Sequence, residues 1–504
     1  MLKPEYLLKI VLAVSVVWIS LFAMAKPTMA QSSPCARATI LIGLLQEHHY
    51  APIALDDSFS RETFHFLIDQ LDPYSILFTQ TDLESLQRFE LMFDDEIKNN
   101  SCAFYNALYD VFHLQNQKTK EWLEGVSAGQ FNFSEKESLT YYPQESSPVY
   151  ALNEVALEKR WMKLIKSQVL EIFLTPNRLE EKTDDELVSA FKTEQAALVN
   201  KVIQRHLRRI KIRLDENGGL QNYVSSNYLN AIAQQFDPHT NYLSPQEERQ
   251  HDEYLSREML SFGLSVSSDE EGNVVIEELV PGGPAWESGK LHEGDVILAI
   301  KWSKSGSLDL SYIEPNEISS ILAELTTDTI QIETRTQVGE RITTMLQKSA
   351  IENTDNVLKG FILERNQKVG YIKLPSFYRG EFSQLQPGAY SGGCAADVAR
   401  EIIKLKESNI HGLVLDLRFN GGGDLFEAID LIGTFIDYGP ATILNSGKQA
   451  PEVFKDMKRG STWSGPLLVM INGASASASE LFSAAMQDYN LSIYSYLLPY
   501  ISNY

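Results

Sequence analysis

Asn472-Gly-Ala-Ser-Ala-Ser-Ala-Ser-Glu480 joins an apolar run, Pro466-Leu-Leu-Val-Met-Ile471, to Leu481-Phe-Ser-Ala-Ala-Met-Gln-Asp-Tyr489. The run before it reads as a buried strand. The segment after it reads as a helix, because Leu481/Ala485 and Phe482/Met486 share a face at i, i+4 spacing. A strand, an Asn-Gly turn, tiny residues and a helix together place a serine hydroxyl at a helix N-terminus. There the unpaired N–H groups and the positive end of the helix dipole favour a developing anion. A second reading stands beside this one. Ser477-Ala-Ser-Glu480 fits the capping-box pattern, so Ser475 or Ser477 could simply cap the helix.

A second corner of the same kind lies upstream. Gly412-Leu-Val-Leu-Asp-Leu417 reads as a buried strand, Arg418-Phe-Asn-Gly-Gly-Gly-Asp424 as a glycine-rich turn, and Leu425 to Ile436 as a helix. Glycine lets a ligand approach the backbone closely, so the amides of Gly422 and Gly423 are candidate donors. Adjacent strands would bring the two corners together. A hydroxyl beside preorganised N–H groups is what acyl transfer needs, since the tetrahedral oxyanion must be stabilised. A phosphate cradle is the rival reading of Gly421-Gly-Gly423. It lacks the Lys-Ser/Thr of a P-loop and the G-x-G-x-x-G spacing.

The 504 residues have room for about three domains. A net charge of −23 argues against nucleic acid and anionic membrane surfaces as partners. Met1-Leu-Lys-Pro-Glu-Tyr-Leu-Leu-Lys9 precedes an apolar run from Ile10 to Ala25, with Ala23-Met-Ala25 and Thr28-Met-Ala30 as small-residue cleavage motifs. Residues 1–30 therefore read as an export signal, with an uncleaved membrane anchor as the alternative. No cysteine sits at the cleavage motif, so there is no lipoprotein signal. The three cysteines are Cys35, Cys102 and Cys394. None has metal-ligand spacing. Export would permit Cys35 and Cys102 to pair, buried free thiols are the alternative, and Cys394 is expected to be one. No metal and no cofactor are expected.

Residues 31–250 carry helical periodicity, with helices expected over Arg37–His49, Phe59–Leu71, Asp82–Ile97, Phe104–Val126, Ala151–Phe173 and Leu187–Ile212. The run Arg205-His-Leu-Arg-Arg-Ile-Lys-Ile-Arg213 reads as a solvated face at a helix C-terminus. His239, in the Asp237-Pro-His turn, reads as a turn residue bonded to backbone. Residues 251–347 change to short strands and turns. Phe262-Gly263-Leu264, the Gly-Gly-Pro-Ala turn at Gly282–Ala285 and the Gly294-Asp295 turn resemble a PDZ domain. In that fold, exposed amides hold a peptide's terminal carboxylate and the peptide adds to a sheet edge. A sheet that only packs against its neighbours is the alternative.

Taken together, the chain resembles the tail-specific proteases of the carboxyl-terminal processing peptidase family, which use a serine–lysine dyad. Ala54-Leu-Asp-Asp-Ser-Phe-Ser60 and Leu71-Asp-Pro-Tyr74 resemble the family's helical N-terminal domain, and Asp237-Pro-His-Thr-Asn-Tyr-Leu-Ser-Pro245 its link to the PDZ domain. Asp416-Leu-Arg-Phe-Asn-Gly-Gly-Gly423 and Ser475-Ala-Ser-Ala-Ser-Glu480 resemble its catalytic core. The resemblance implies an α+β multidomain fold. It comprises a helical domain over 31–250, a PDZ domain over 251–347, and a mixed α/β, crotonase-like peptidase core over 348–489 lacking its C-terminal part. It implies Ser477 as nucleophile, an oxyanion hole from Ala478 and Gly422 or Gly423, and Asp488 as an acidic residue implicated in activity. For Asp488 a charged surface residue at a helix end is the alternative reading. It further implies a periplasmic endopeptidase selecting substrate proteins by apolar C-termini through Phe262, Gly263 and Leu264, and it admits a lipoprotein adaptor.

One departure stands out. The family's general base is a lysine twenty-five residues beyond the nucleophile, in a Thr-Phe-Gly-Lys-Gly segment; here that position is Ser502. Residues 490–504 are expected to be an aberrant tail. His411, Lys448, Lys455 and Lys458 are the other bases weighed, and none is expected to reach Ser477. An inert fragment that binds C-termini is therefore the alternative to an active protease. An unfolded core is a further one.

Overall fold

The computed structural model describes residues 33–139, 149–174, 178–179, 183–215, 219–269, 273–302, 307–310, 318, 322, 327–352, 358–382, 390–445 and 450–496. The export signal expected at 1–30, Lys448 and the end of the tail, including Ser502, lie outside them. The chain divides into two compact units between Tyr242 and Leu243.

The first unit is helical: α1 Pro34–His48, α2 Asp57–Leu71, α3 Gln80–Gln87, α4 Phe93–Asn99, α5 Ala103–Gly125, α6 Glu154–Phe173, α7 Asp184–Asp215 and α8 Gly219–Gln234. Local chemistry sets the starts. Asp56 accepts the Ser58 and Phe59 amides ahead of α2, and Thr79 with Asp82 forms a capping box on α3. Phe64, Phe93, Phe104, Phe112 and Tyr228 fill one core, and Trp161, Ile165, Val169, Val199 and Val202 a second. The single helix expected over Asp82–Ile97 is two. The Phe89 and Glu90 amides bond three residues back, to Leu86 and Gln87 (2.9 and 3.0 Å), which tightens and ends the first helix. The basic run of α7 is not simply a solvated face. His206 is buried against Gln168 (2.7 Å), and the Arg213 guanidinium lies 4.9 Å over the Tyr223 ring. His239 sits in a turn, its amide on Asp237 Oδ1 (2.7 Å). Cys35 and Cys102 form a disulfide joining the starts of α1 and α5, and Cys394 is a buried free thiol.

The second unit opens with α9 Pro245–Tyr254, followed by β1 Glu258–Ser261, β2 Leu264–Ser268, β3 Val274–Leu279, α10 Pro284–Glu287, β4 Val296–Lys301, β5 Ser307–Asp309, β6 Thr329–Arg335, β7 Arg341–Gln347 and β8 Ser349–Glu352. Strands β2-β3-β4-β6-β7 make one antiparallel sheet with β5 on β4, while β1 pairs with β8. Among the described residues β2 pairs only β3, so it is an edge strand.

The core follows: β9 Lys359–Glu364, β10 Lys368–Lys373, the short pair β11 Glu381–Phe382 and β12 Tyr390–Ser391, α11 Cys394–Glu407, β13 Gly412–Asp416, α12 Leu425–Gly433, the hairpin β14 Gly439–Leu444 and β15 Glu452–Asp456, β16 Leu467–Ile471, α13 Ala478–Asp488 and β17 Ser492–Tyr496. The sheet order is β17-β16-β13-β10-β9, parallel except for β9. Its apolar strands are covered by α11, α12 and α13, burying Ile372, Leu415, Val469, Ile402, Leu431 and Phe482. The core was expected to end at Tyr489, but Ser492–Tyr496 runs parallel to β16 as a further sheet strand. Ile493, Tyr494 and Tyr496 favour extended backbone, which gives that segment strand character that a lack of charge alone did not reveal.

Candidate active site

Strands β13 and β16 are parallel neighbours with Asp416 opposite Met470. Their carboxyl ends therefore open on the same edge, where parallel sheets hold their ligands. The glycine corner after β13 and the serine corner after β16 are pressed together. A Cβ on Gly422 would lie 2.8 Å from Ser477 Cβ and 3.1 Å from the Ala478 nitrogen. Gly422 has φ +106° and Gly423 φ +141°, and a Cβ on Gly423 would run into the Phe377 carbonyl. Both positions require glycine.

The three serines of the turn have different work. Ser475 Oγ donates to Leu417 O (2.8 Å) and accepts from the Asn472 amide (3.0 Å). Ser479 is fully buried, its Oγ donating to Asn420 O (2.9 Å). Ser477 alone is exposed. Its backbone sits at φ 54°, ψ −116°, a strained turn that lifts the side chain away from the sheet, as in a nucleophile elbow. The capping reading also holds: Glu480 accepts the Ser477 amide at 2.6 Å. Capping and exposure are compatible, because the box fixes the turn in which the hydroxyl is presented.

The amides around this hydroxyl separate in the same way. Gly422 N–H is committed to Asn420 Oδ1 (2.9 Å). Phe377 N donates to Gly422 O and Asp424 N to Phe377 O, both at 2.8 Å, so this bridge uses the groups on either side of the Gly423 amide and not that amide. At the start of α13, Ser479 N bonds Ala476 O and Glu480 N bonds Ser477 O, whereas Ala478 N–H is a helix-terminal donor with no partner among the described residues. Of the expected donors, Ala478 and Gly423 are open and Gly422 is not.

Asn420 is the residue the sequence reading missed. It is fully buried; its Nδ2 donates to Leu374 O (3.0 Å) and its carbonyl accepts Ala476 N (3.1 Å). It thus ties both corners to the end of β10. The signal was the Asn420-Gly421 turn pair, but nothing in the spacing said which groups it would satisfy. Beneath the corner, the Asp416 carboxyl is pushed up by burial. The Arg418 fork (2.7 Å) and the Tyr371 hydroxyl (2.5 Å) outweigh that and hold it below the usual carboxylate range. Asp424 caps α12 and takes Arg379 Nε at 2.6 Å.

Asp488 is not brought to this cluster. It is exposed at the far end of α13, about 16 Å from Ser477 at ~1.5 Å per residue. Lys458 is turned to Asp430 (3.2 Å), Lys455 lies on β15 opposite Pro440, and His411 precedes β13 at its opposite end. Among the described residues no group of His, Cys, Asp or Glu is arranged to hold a metal, and no helix is long and apolar enough to cross a membrane.

In the loop between β1 and β2, Phe262 is buried and Gly263 has φ +74°. Ala285 N and Val280 N bond the Phe262 and Gly263 carbonyls, both at 3.0 Å. These bonds aim the loop's amides outward ahead of the open β2 edge. The Gly263 amide itself is occupied by Ser261 Oγ (3.1 Å), and Leu264 is half-buried at the start of β2.

An exposed hydroxyl at a helix N-terminus, backed by a glycine loop and open amides, is an arrangement suited to attack on an acyl group. Family comparison agrees. The tail specific protease N-terminal domain matches residues 41–246, a PDZ domain matches 255–301 and peptidase family S41 matches 368–494. The chain thus carries a tail specific protease N-terminal domain, a PDZ domain and a peptidase family S41 domain, and it is similar to tail-specific proteases. It is 27% identical over 471 residues to the tail-specific protease of Haemophilus influenzae, covering 93% of this chain and 62% of that one. It is 26% identical over 273 residues to the carboxy-terminal-processing protease of Bartonella bacilliformis, covering 52% and 56% of the two chains. Among solved structures, the photosystem II D1 C-terminal processing protease aligns with TM-score 0.28 and 18% identity, over 58% of this chain and 74% of that one. The chain thus spans less than two thirds of the length of these two curated relatives.

Proposed function

We propose that this chain is a periplasmic serine endopeptidase that takes hold of unstructured apolar C-termini and cleaves the protein behind them. Ser477 Oγ attacks the amide carbonyl, and the Ala478 and Gly423 amides receive the oxyanion. The glycine loop holds those donors fixed before reaction, so no reorganisation is needed when charge develops. The PDZ loop at Phe262–Leu264 and the β2 edge take the substrate's terminus. A lipoprotein adaptor that presents substrates fits the same reading. The observation that carries it is Ser477 itself: the exposed member of its serine cluster, in a strained turn, packed on Gly422.

A serine needs a base. Residues 478–504 contain no lysine, histidine or arginine, and the family's lysine position is Ser502. We infer that Ser477 attacks slowly unless a base from outside residues 478–504 reaches it, because lacking such a partner removes orders of magnitude of rate while some oxyanion-hole effect persists. That sequence feature also favours a second reading, a fragment that binds C-termini without cleaving. The test is hydrolysis of a protein bearing an unstructured apolar C-terminus, compared with Ser477→Ala, alongside titration of the free-acid and amidated peptide. Residual cleavage lost in Ser477→Ala supports the protease. Equal rates with preference for the free acid support the binding fragment.

A further inference from the structure

Phe419 contributes nothing to the core, yet the fold keeps it in an unfavourable state. Its side chain is 76% exposed and its backbone stands at φ 65°. For a bulky side chain this left-handed conformation is an outlier that glycine or asparagine would occupy more easily. The strain is imposed from both corners. Asn472 Oδ1, in the serine turn, accepts the Phe419 amide (3.0 Å). On either side of Phe419, Ser475 Oγ donates to Leu417 O (2.8 Å) and Ala476 N to Asn420 O (3.1 Å). The phenyl-bearing residue is thus clamped between two hydrogen bonds to the turn that presents Ser477. An exposed aromatic alone would be unremarkable, and a strained loop residue alone would be a turn detail. Together they are two costs at one residue with no offset inside the fold, in the segment that joins the two halves of the candidate active site.

We propose that Phe419 is a substrate-contact residue: its ring forms an apolar wall of the cleft and selects an apolar side chain next to the bond that Ser477 attacks. The inference rests on Ser477 being the nucleophile. The ring's exposed area is then covered by substrate, which offsets the strain only in the complex. Asparagine at this position would relax the backbone and remove the wall. Leucine would keep an apolar surface and keep the strain.

The test uses the full chain and two peptidyl diphenyl phosphonates, one with valine and one with aspartate at the residue bearing phosphorus. Ser477 Oγ forms the O–P bond, phenolate leaves, and the hydroxyl proton goes to solvent. Labelling is located by peptide mass spectrometry in wild type, Phe419→Asn, Phe419→Leu and Ser477→Ala, and melting is followed on the same proteins. The wild type is expected to label at Ser477 with a preference for valine. Phe419→Asn should lose about tenfold or more of that preference, as expected for one apolar contact, while its Tm rises by about 2–4 °C. Phe419→Leu should keep most of the preference. An unchanged preference in Phe419→Asn, or a lowered Tm, overturns the role of Phe419 while leaving Ser477 standing. Labelling that survives in Ser477→Ala, or that never occurs, overturns the nucleophile and this inference with it.

Discussion

Gly422→Ala puts the contact between the two corners under direct strain. The added methyl would lie 2.8 Å from Ser477 Cβ, 2.9 Å from Ala476 O and 3.1 Å from Ala478 N. Carbon atoms rest about 3.5–4.0 Å apart, so the corners must part by about 1 Å. The backbone at φ +106° adds strain, of order 1–3 kcal/mol for a residue with a side chain. A shift of about 1 Å at a reacting group can cost about 10²-fold in rate. Gly421→Ala is the control, one residue away: nothing lies within 4 Å of its Cβ position and its φ is not left-handed. The assay is the second-order rate of Ser477 phosphonylation, read beside thermal melting. Gly422→Ala should react about a hundredfold more slowly and melt earlier, and Gly421→Ala should match wild type in both. If the two substitutions behave alike, the glycine loop does not set the position of Ser477 and the reasoning fails.

Other outcomes follow from single groups. Ser475→Ala and Ser479→Ala should each lower stability by about 1 kcal/mol through lost hydrogen bonds to Leu417 O and Asn420 O. Ser477→Ala should cost less than either, because Glu480 still accepts the backbone amide of residue 477; chemical denaturation of the three variants checks the order. Replacing Cys35 and Cys102 by serine removes a crosslink spanning 67 residues and should destabilise the helical unit by about 4 kcal/mol on the loop-entropy relation, read from its urea midpoint. Burial, reinforced by Arg209 and Arg205, lowers the His206 pKa to about 4. The folded unit therefore keeps His206 neutral while the unfolded chain takes up a proton below pH ~6.5. That contribution is whole above pH ~6.5 and is lost as pH falls towards 4, up to about 3 kcal/mol. His206→Gln should flatten the stability–pH curve over that window, and an unchanged slope would assign it to other groups.

Much of this architecture was legible because its corners obey strong local rules. Pro466–Ile471 is an uninterrupted apolar run and Gly412–Leu417 is one broken only by Asp416, a pattern that suits strands buried on both faces. Their adjacency placed Gly422 beside Ser477 before any coordinate did. What escaped depends on partners distant in sequence. No spacing rule says that Asn420 would bond Leu374 O, Gly422 N and Ala476 N together. Nor does one say that the Gly422 amide would be spent on it. The split of Asp82–Ile97 turned on local i−3 bonds, and the burial of His206 on a helix packed across from it. Asp488 shows the limit of carrying a motif across. Its spacing from Ser477 is a helix length, which puts it at the opposite end of α13.

Ser477 and two amides from separate corners must act together on one carbonyl. A crystal structure of the phosphonylated chain tests this. Ser477 Oγ should be bonded to phosphorus, with one phosphoryl oxygen about 2.7–3.1 Å from both the Ala478 and Gly423 nitrogens. An adduct whose oxygen faces solvent, with those two amides bonded elsewhere, would contradict it.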